Sequence, residues 1–211
     1  MPVPYTLETR ERWLVARFAE PWMVLSWAVV NGGYQRTSSV VWLYLKLHEI
    51  ADVPDPVAWM RGQMYQEQLA GAVGFMTSRR ALEWVEAEAN EADAQAWAVG
   101  TVGLSNAMRV GDPLKPPGSW GTINLLVASS VALTPEAALE ALALVSEAKT
   151  AAMRDLGPHT GTGTDYMAIA WPCAGAPQPY AGKHTAQGAA IGRAAYQAVH
   201  RGASLWLKEF A

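Results

Sequence analysis

The chain has 211 residues, of which 51% are hydrophobic, and carries a formal charge of −3. That composition excludes a disordered chain and allows one core-bearing domain over residues 1–211, and the small net charge gives no electrostatic reason to expect nucleic acid. A single cysteine, Cys173, rules out an internal disulfide and points to a reducing, cytoplasmic compartment.

In chain order, Trp13 to Phe18 and Trp22 to Val30 read as two strands divided by Glu20-Pro21. Trp22 to Val30 is too short to span a bilayer, so no membrane is expected. Asn31-Gly32-Gly33 then breaks the second strand. It reads either as a tight turn needing positive φ or as a backbone-amide cradle for an anion or carbonyl. Val40 to Leu47 fits strand or helix. Pro56 to Leu69 suits a helix capped by Asp55. Ala72 to Met76 is strand-like, and Leu82 to Glu88 alternates as a half-exposed strand would, although its Ala and Glu residues also suit a helix.

Gln95 to Leu104 and Thr122 to Ser129 read as buried strands, joined by a loop over Gly111 to Gly121 that carries Pro113, Pro116 and Pro117. Pro135 to Leu156 is the best-defined helix. Thr134 caps it, Pro135 fits its first turn, Glu136 favours the positive end of the dipole and Gly157-Pro158 stops it. Met167 to Trp171 is a strand, Pro172 to Gly182 a loop, and a last helix starts near Thr185 and runs to Arg201 or beyond. Strands and helices mix without a strict βαβ rhythm. The expected fold is therefore α+β, with a mixed, largely antiparallel sheet covered by helices.

Polar, glycine-bearing segments meet strand ends in three places: Val99 to Pro113, Trp120 to Val127 and Thr160 to Asp165. Glycine lets backbone approach a ligand, and the Ser, Thr, Asn and Asp side chains supply hydrogen bonds. Gly103 to Ala107 approaches the G-x-S-x-G nucleophile elbow, and Asp165 and His184 follow Ser105 in the order of α/β-hydrolases. An elbow needs a helix directly after the serine, and the glycine and prolines after Arg109 leave little room for one. Thr160 to Asp165 offers backbone amides for an oxyanion and a carboxylate for a water, or an ordinary loop whose Asp bonds backbone.

Gly182-Lys183-His184-Thr185 fails the P-loop pattern. His184, Gly188 and Gly192 instead fall on one helical stripe that invites close approach by another element or by a ligand. In the long helix Glu147 shares a face with Thr150, and Ser146 with Lys149. The four histidines are far apart and no metal motif appears. Ten tryptophans read either as a broad apolar ligand wall or as filling for the core and for subunit contacts, the second of which admits a homo-oligomer.

In order along the chain, Asn31–Gly33, Gly74–Thr77, Val102–Ala107, Gly121–Asn124, Leu133–Thr134, Glu147–Ala151, Thr160–Asp165, Gly182–Thr185 and Gly188–Arg193 together resemble the adenosylcobinamide amidohydrolase family. The resemblance covers about residues 25 to 200; the first twenty residues and Val40 to Met60 match it least. It implies a corrinoid-salvage enzyme for cobalamin biosynthesis that hydrolyses the amide joining aminopropanol to the corrin ring. The products would be adenosylcobyric acid and (R)-1-amino-2-propanol, with the corrinoid as substrate and no separate cofactor.

For that chemistry a water or hydroxyl attacks the carbonyl and the leaving amine takes a proton. Asp165 and Glu147 are the candidate bases, Lys183, Lys149 and His184 the candidate donors, and Ser105, Thr162 and Thr164 the candidate hydroxyls. Asp165 and His184 lead this set, and Asn106 and Asn124 position substrate. Asn31, Gly32 and Gly33 are further candidates for substrate binding. Two other readings use the same residues: a corrinoid binder that does not cut, and a serine hydrolase of other amides using Ser105, Asp165 and His184. All of them require distant stretches of chain to converge on one cavity.

Overall fold

Ten strands, three α-helices and one short 3-10 helix (Leu47–Glu49) are formed by the described residues, 2–80, 83–113 and 120–210, of a computed structural model. The strands are β1 (Tyr5–Arg10), β2 (Trp13–Ser26), β3 (Gly33–Tyr44), β4 (Val73–Thr77), β5 (Trp84–Glu91), β6 (Ala94–Val102), β7 (Ala107–Met108), β8 (Ile123–Ser129), β9 (Gly161–Thr162) and β10 (Tyr166–Pro172). The helices are α1 (Pro56–Gln66), α2 (Pro135–Leu156) and α3 (Ala186–Glu209). The expected Leu82 and the prolines Pro116 and Pro117 lie outside the described residues.

The main sheet runs β4-β3-β2-β10-β8-β6-β5, with β1 also paired to β2. Only the β3–β4 and β8–β10 pairs are parallel, so the sheet is mixed and largely antiparallel as expected. A separate small ladder joins β7 to β9.

Two expectations need correction. Trp13 to Val30 is not two strands: β2 runs unbroken from Trp13 to Ser26, and its register against β3 shifts between Arg17 and Trp22. Pro21 sits in that irregular stretch, where a missing N–H costs the ladder nothing, so the proline marks a bend and not an end. The strand also stops four residues short of Val30. The chain then leaves the sheet, and Val30 exchanges backbone hydrogen bonds with Gly74 of β4. In addition, Tyr5 to Arg10 forms a strand that composition did not mark.

Alternation along the strands assigns three cores. Ile123, Leu125 and Val127 of β8 and Met167 and Ile169 of β10 pack with the alanine- and leucine-rich faces of α2 and α3. Their neighbours Leu126, Ala128, Ala168 and Ala170 point the other way and meet Leu14, Val40, Trp42 and Phe75. On β2 and β3 the remaining side chains, Trp13, Val15, Val41 and Leu43, pack on Met60 and Met64 of α1. The result is four layers: α1, the β1–β4 half of the sheet, the β10-β8-β6-β5 half, and α2 with α3. A strand buried on both faces reads as a continuous apolar run, which is why β8 shows no alternation in its sequence.

The sheet curls until its β4 end reaches β8, although three strands separate them in the order. Trp42 Nε1 donates to the Asn124 carbonyl at 3.3 Å, and Asn124 Nδ2 donates to the Met76 carbonyl at 2.5 Å. The Thr101 and Thr77 hydroxyls meet at 3.0 Å. This curl brings the ends of β4, β6 and β8 and the start of β10 to one place.

The helices begin where their caps require. The Asp55 carboxylate accepts from Val57 N and Ala58 N, the Thr134 hydroxyl from Ala137 N and the Thr185 hydroxyl from Gly188 N. Each such cap contributes about 1 kcal/mol. Gly188 is needed because a Cβ there would collide with the carbonyls of Ala181 and Gly182, whereas Gly192 faces Leu144 of α2 with room for ordinary contact. The glycine stripe after His184 is thus occupied by the protein itself. Among the described residues no helix is long and apolar enough to cross a membrane.

Candidate active site

The Thr160–Asp165 and Ser105–Asn106 turns lie side by side. β7 and β9 pair Ala107 with Thr162 and Met108 with Gly161, and Thr160 N donates to the Met108 carbonyl at 3.0 Å. Val110 N adds a bond to the Thr160 hydroxyl at 2.8 Å. The convergence that every functional reading required is therefore present for these two segments.

Asp165 stands at the centre. Its Oδ1 accepts from Ile123 N at 3.1 Å and from the Thr162 hydroxyl at 2.6 Å. Its Oδ2 accepts from Thr162 N at 3.0 Å and from Lys149 Nζ at 2.9 Å. Two carboxylate oxygens offer four lone pairs, and all four are used. The carboxylate is 9% exposed and the Lys149 side chain 11%, so this is a nearly buried ion pair with its hydrogen bonds complete. Gly161 makes it possible, because a Cβ at that position would run into both Asp165 Oδ2 and Lys149 Nζ.

Around this pair the loops lock together. The Thr164 hydroxyl donates to the Gly121 carbonyl at 3.0 Å, and Gly121 N donates to Asn106 Oδ1 at 3.1 Å. Gly121 is where the 103–105 turn presses closest: a Cβ there would lie 2.6 Å from Ser105 N. The Thr122 hydroxyl lies 2.6 Å from the Thr164 carbonyl and 2.8 Å from Asn124 Oδ1. Asn124 is fully buried with both ends of its amide engaged by protein, so it braces β8 against β4 and faces no solvent. Ser105 and Gly163 are exposed at the rim, and Asn106, Thr162 and Thr164 are half-buried. Ser105 sits in a turn that leads into the short strand β7, so the helix that an elbow demands does not follow it.

The other sequence candidates lie elsewhere. Glu147 and Lys183 form an exposed ion pair, and with His184 they line a cleft of about 560 Å³ between α2 and the 180–185 segment. Residues two apart on a helix point about 200° apart. Lys149 faces the sheet, so Glu147 faces away from it. None of the four donors on Asp165 comes from His184, which makes no hydrogen bond to another described residue. The Ser105–Asp165–His184 arrangement is therefore not assembled. Asn31 has φ 55° and Gly33 φ 80°, as the turn reading requires. Asn31 Nδ2 gives its protons to the Ala70 and Ala72 carbonyls, which ties the turn to the approach to β4. Gly32 lies in the same turn, where a Cβ would come within 3.0 Å of the Ala28 carbonyl.

Two participants were not anticipated. Thr122 is one: it lies two residues before Asn124 in the Gly121–Asn124 segment, and that polar spacing is the sequence signal for it. Trp27 donates its indole N–H to the Asp165 carbonyl at 2.8 Å. The sequence places it within the expected Trp22–Val30 strand, because nothing in the sequence ends β2 at Ser26. Tyr166, next to Asp165, stacks on Phe75 at 6.3 Å, and burial holds its phenol above the usual range. Among the described residues no group of three or more His, Cys, Asp or Glu side chains is placed to hold a metal ion.

The family model for adenosylcobinamide amidohydrolase matches residues 3–211. No curated protein matches. Among solved structures, an L-aminopeptidase D-Ala-esterase/amidase from Ochrobactrum anthropi, described as a variant of the Ntn hydrolase fold, is similar at 13% identity. That match covers 94% of this chain and 82% of the other, with a TM-score of 0.44. At that distance it supports no reading of this chain's chemistry.

Proposed function

The chain belongs to the adenosylcobinamide amidohydrolase family and is an amide-hydrolysing enzyme, and from that membership we propose that it releases (R)-1-amino-2-propanol from adenosylcobinamide, leaving adenosylcobyric acid. In this reading the corrinoid is the substrate, no separate organic cofactor takes part, and the reaction belongs to corrinoid salvage in the cytoplasm. The exposed free thiol of Cys173 fits a reducing compartment.

The active centre in this proposal is the Asp165 hub. The observation that carries it is the Thr162 hydroxyl, held 2.6 Å from Asp165 Oδ1 beside the Lys149 ammonium. A nucleophilic hydroxyl, a base in hydrogen-bond reach and a third group fixing the base are the parts that covalent amide cleavage needs. Asp165 has no spare lone pair, so the proton it can take without losing a partner is the one already shared with Thr162. The hydroxyl oxygen attacks the amide carbon as that proton moves to Oδ1. Lys149 provides fixed positive charge for the developing oxyanion. The proton then passes to the leaving nitrogen, and aminopropanol departs. Water, deprotonated by the same carboxylate, cleaves the Thr162 ester, which frees the carboxylic acid and restores the hydroxyl. Asn106 holds the substrate arm at the rim, with its Oδ1 on Gly121 N and its Nδ2 toward Gly163.

The test is direct. Purified chain incubated with adenosylcobinamide is analysed by mass spectrometry for aminopropanol and adenosylcobyric acid. Both products are expected. A stable complex with uncut corrinoid would show a binding protein instead.

A further inference from the structure

Of the ten tryptophans, eight are buried or half-buried; only Trp27 and Trp120 are exposed, at 43% each. Four of the others contact a second aromatic ring: Trp22 stacks on Phe18, Trp206 tilts against Phe210, and Trp42 with Phe75 and Trp171 with Tyr34 meet edge to face. Trp27 and Trp120 share no ring contact with any described residue. Both nevertheless sit at the same two-residue step of the hub. Trp27 Nε1 holds the Asp165 carbonyl at 2.8 Å, and Gly121, next to Trp120, accepts from the Thr164 hydroxyl at 3.0 Å. The Trp120 carbonyl is itself held by the Ser78 hydroxyl at 2.8 Å.

Exposing a large indole forfeits the burial that most aromatic side chains gain on folding. Two indoles left open, one bonded to the Asp165 carbonyl and the other one residue along the chain from the Gly121 carbonyl that holds Thr164, suit an apolar and largely flat ligand face. A corrin ring offers that chemistry: a conjugated macrocycle edged with methyl groups, whose amide arms project from its rim. We infer that Trp27 and Trp120 bear the corrin macrocycle while its aminopropanol-bearing arm enters the Thr162–Asp165 hub. The inference rests on the proposed substrate and goes beyond it by assigning ring recognition to two residues outside the reacting centre. Trp27 has a second duty, because its N–H also fixes the Asp165 carbonyl, so its two roles must be separated by the choice of variant.

The experiment measures the dissociation constant of adenosylcobyric acid, the ring without the scissile amide, by equilibrium dialysis read at the corrin absorbance. It uses the full chain and Trp27→Phe, Trp27→Ala and Trp120→Ala variants. Trp27→Ala and Trp120→Ala are each expected to weaken binding at least about tenfold, the scale of losing one stacking platform. Trp27→Phe keeps a ring face but loses the N–H, and is expected to bind within about threefold of the parent while kcat for adenosylcobinamide falls. Binding within about twofold of the parent in both alanine variants would overturn the assignment. A chain that binds the ring tightly but leaves adenosylcobinamide uncut would overturn the proposed reaction and leave this assignment to be decided by the same dissociation constants.

Discussion

Lys149 Nζ lies 2.9 Å from Asp165 Oδ2, and a glycine, Gly161, fills the space where any side chain would separate them. The pair links the middle of α2 to the start of β10, and Asp165 extends the link to β8 through Ile123 N and to β9 through Thr162. Removing one partner leaves the other charge nearly buried and uncompensated. Asp165→Asn is expected to destabilise the fold by roughly 3 kcal/mol. Lys149→Met, which removes the cation and keeps an apolar stem, should cost less. Urea unfolding curves of the two variants check the order.

Gly161→Ala tests the same contact without altering either charge. The added methyl must push the ammonium or the carboxylate aside. Activity toward adenosylcobinamide is expected to fall by about 10²-fold, the scale of a misplacement near 1 Å. A Gly163→Ala control, where the nearest atom is Met108 Sδ at 3.4 Å, should stay close to the parent. Initial rates of aminopropanol release decide between them.

Thr162 carries the proposed nucleophile, so Thr162→Ala is expected to lose nearly all turnover. Thr162→Ser keeps the hydroxyl and should retain a measurable part of it. Trapping of an ester on the Ser variant, found by intact-protein mass spectrometry, would identify the attacking atom.

The cleft between α2 and the 180–185 segment makes a separate prediction. Glu147 and Lys183 pair on the surface, with side chains 58% and 64% exposed, where an ion pair contributes little. Lys183→Ala and His184→Ala are both expected to keep kcat for adenosylcobinamide within about threefold of the parent. A loss of about 10²-fold in His184→Ala would move the chemistry to that cleft.

Alkaline stability depends on Tyr5. Burial raises its phenol well above the usual range, and the nearby Glu86 and Glu88 carboxylates raise it further. A folded-state value above the unfolded one gives stability that is complete below about pH 10 and lost as pH rises through the folded value. Tyr5→Phe removes the titrating group. Its stability at pH 7 should be nearly unchanged, while its loss of stability above pH 10 should be smaller than that of the parent, as read by thermal melts across that range.

The helices were legible because their ends carry chemistry. Asp55-Pro56 and Thr134-Pro135 mark starts, and Gly157 marks a stop. The bend at Pro21 was not legible, because a proline that ends a strand and one that sits in a bulge look alike in sequence. The curl that lays Asn124 against Met76 depends on contacts between strands far apart in order, which no local pattern encodes. In the site, the glycine-bearing turns were recognisable as polar junctions, and their pairing in space follows from the β7–β9 ladder. The sequence also offered Glu147, Lys183 and His184 for the same centre. Only the rotation of α2 shows that Lys149 turns toward Asp165 and Glu147 away from it.

The most direct measurement is the rate of 1-amino-2-propanol release from adenosylcobinamide by the parent chain, Thr162→Ala and His184→Ala, assayed side by side with folding checked by circular dichroism. Release by the parent and by His184→Ala is expected, with a loss of at least about 10³-fold in Thr162→Ala. A folded Thr162→Ala variant that releases aminopropanol at the parent rate would contradict the role of Thr162.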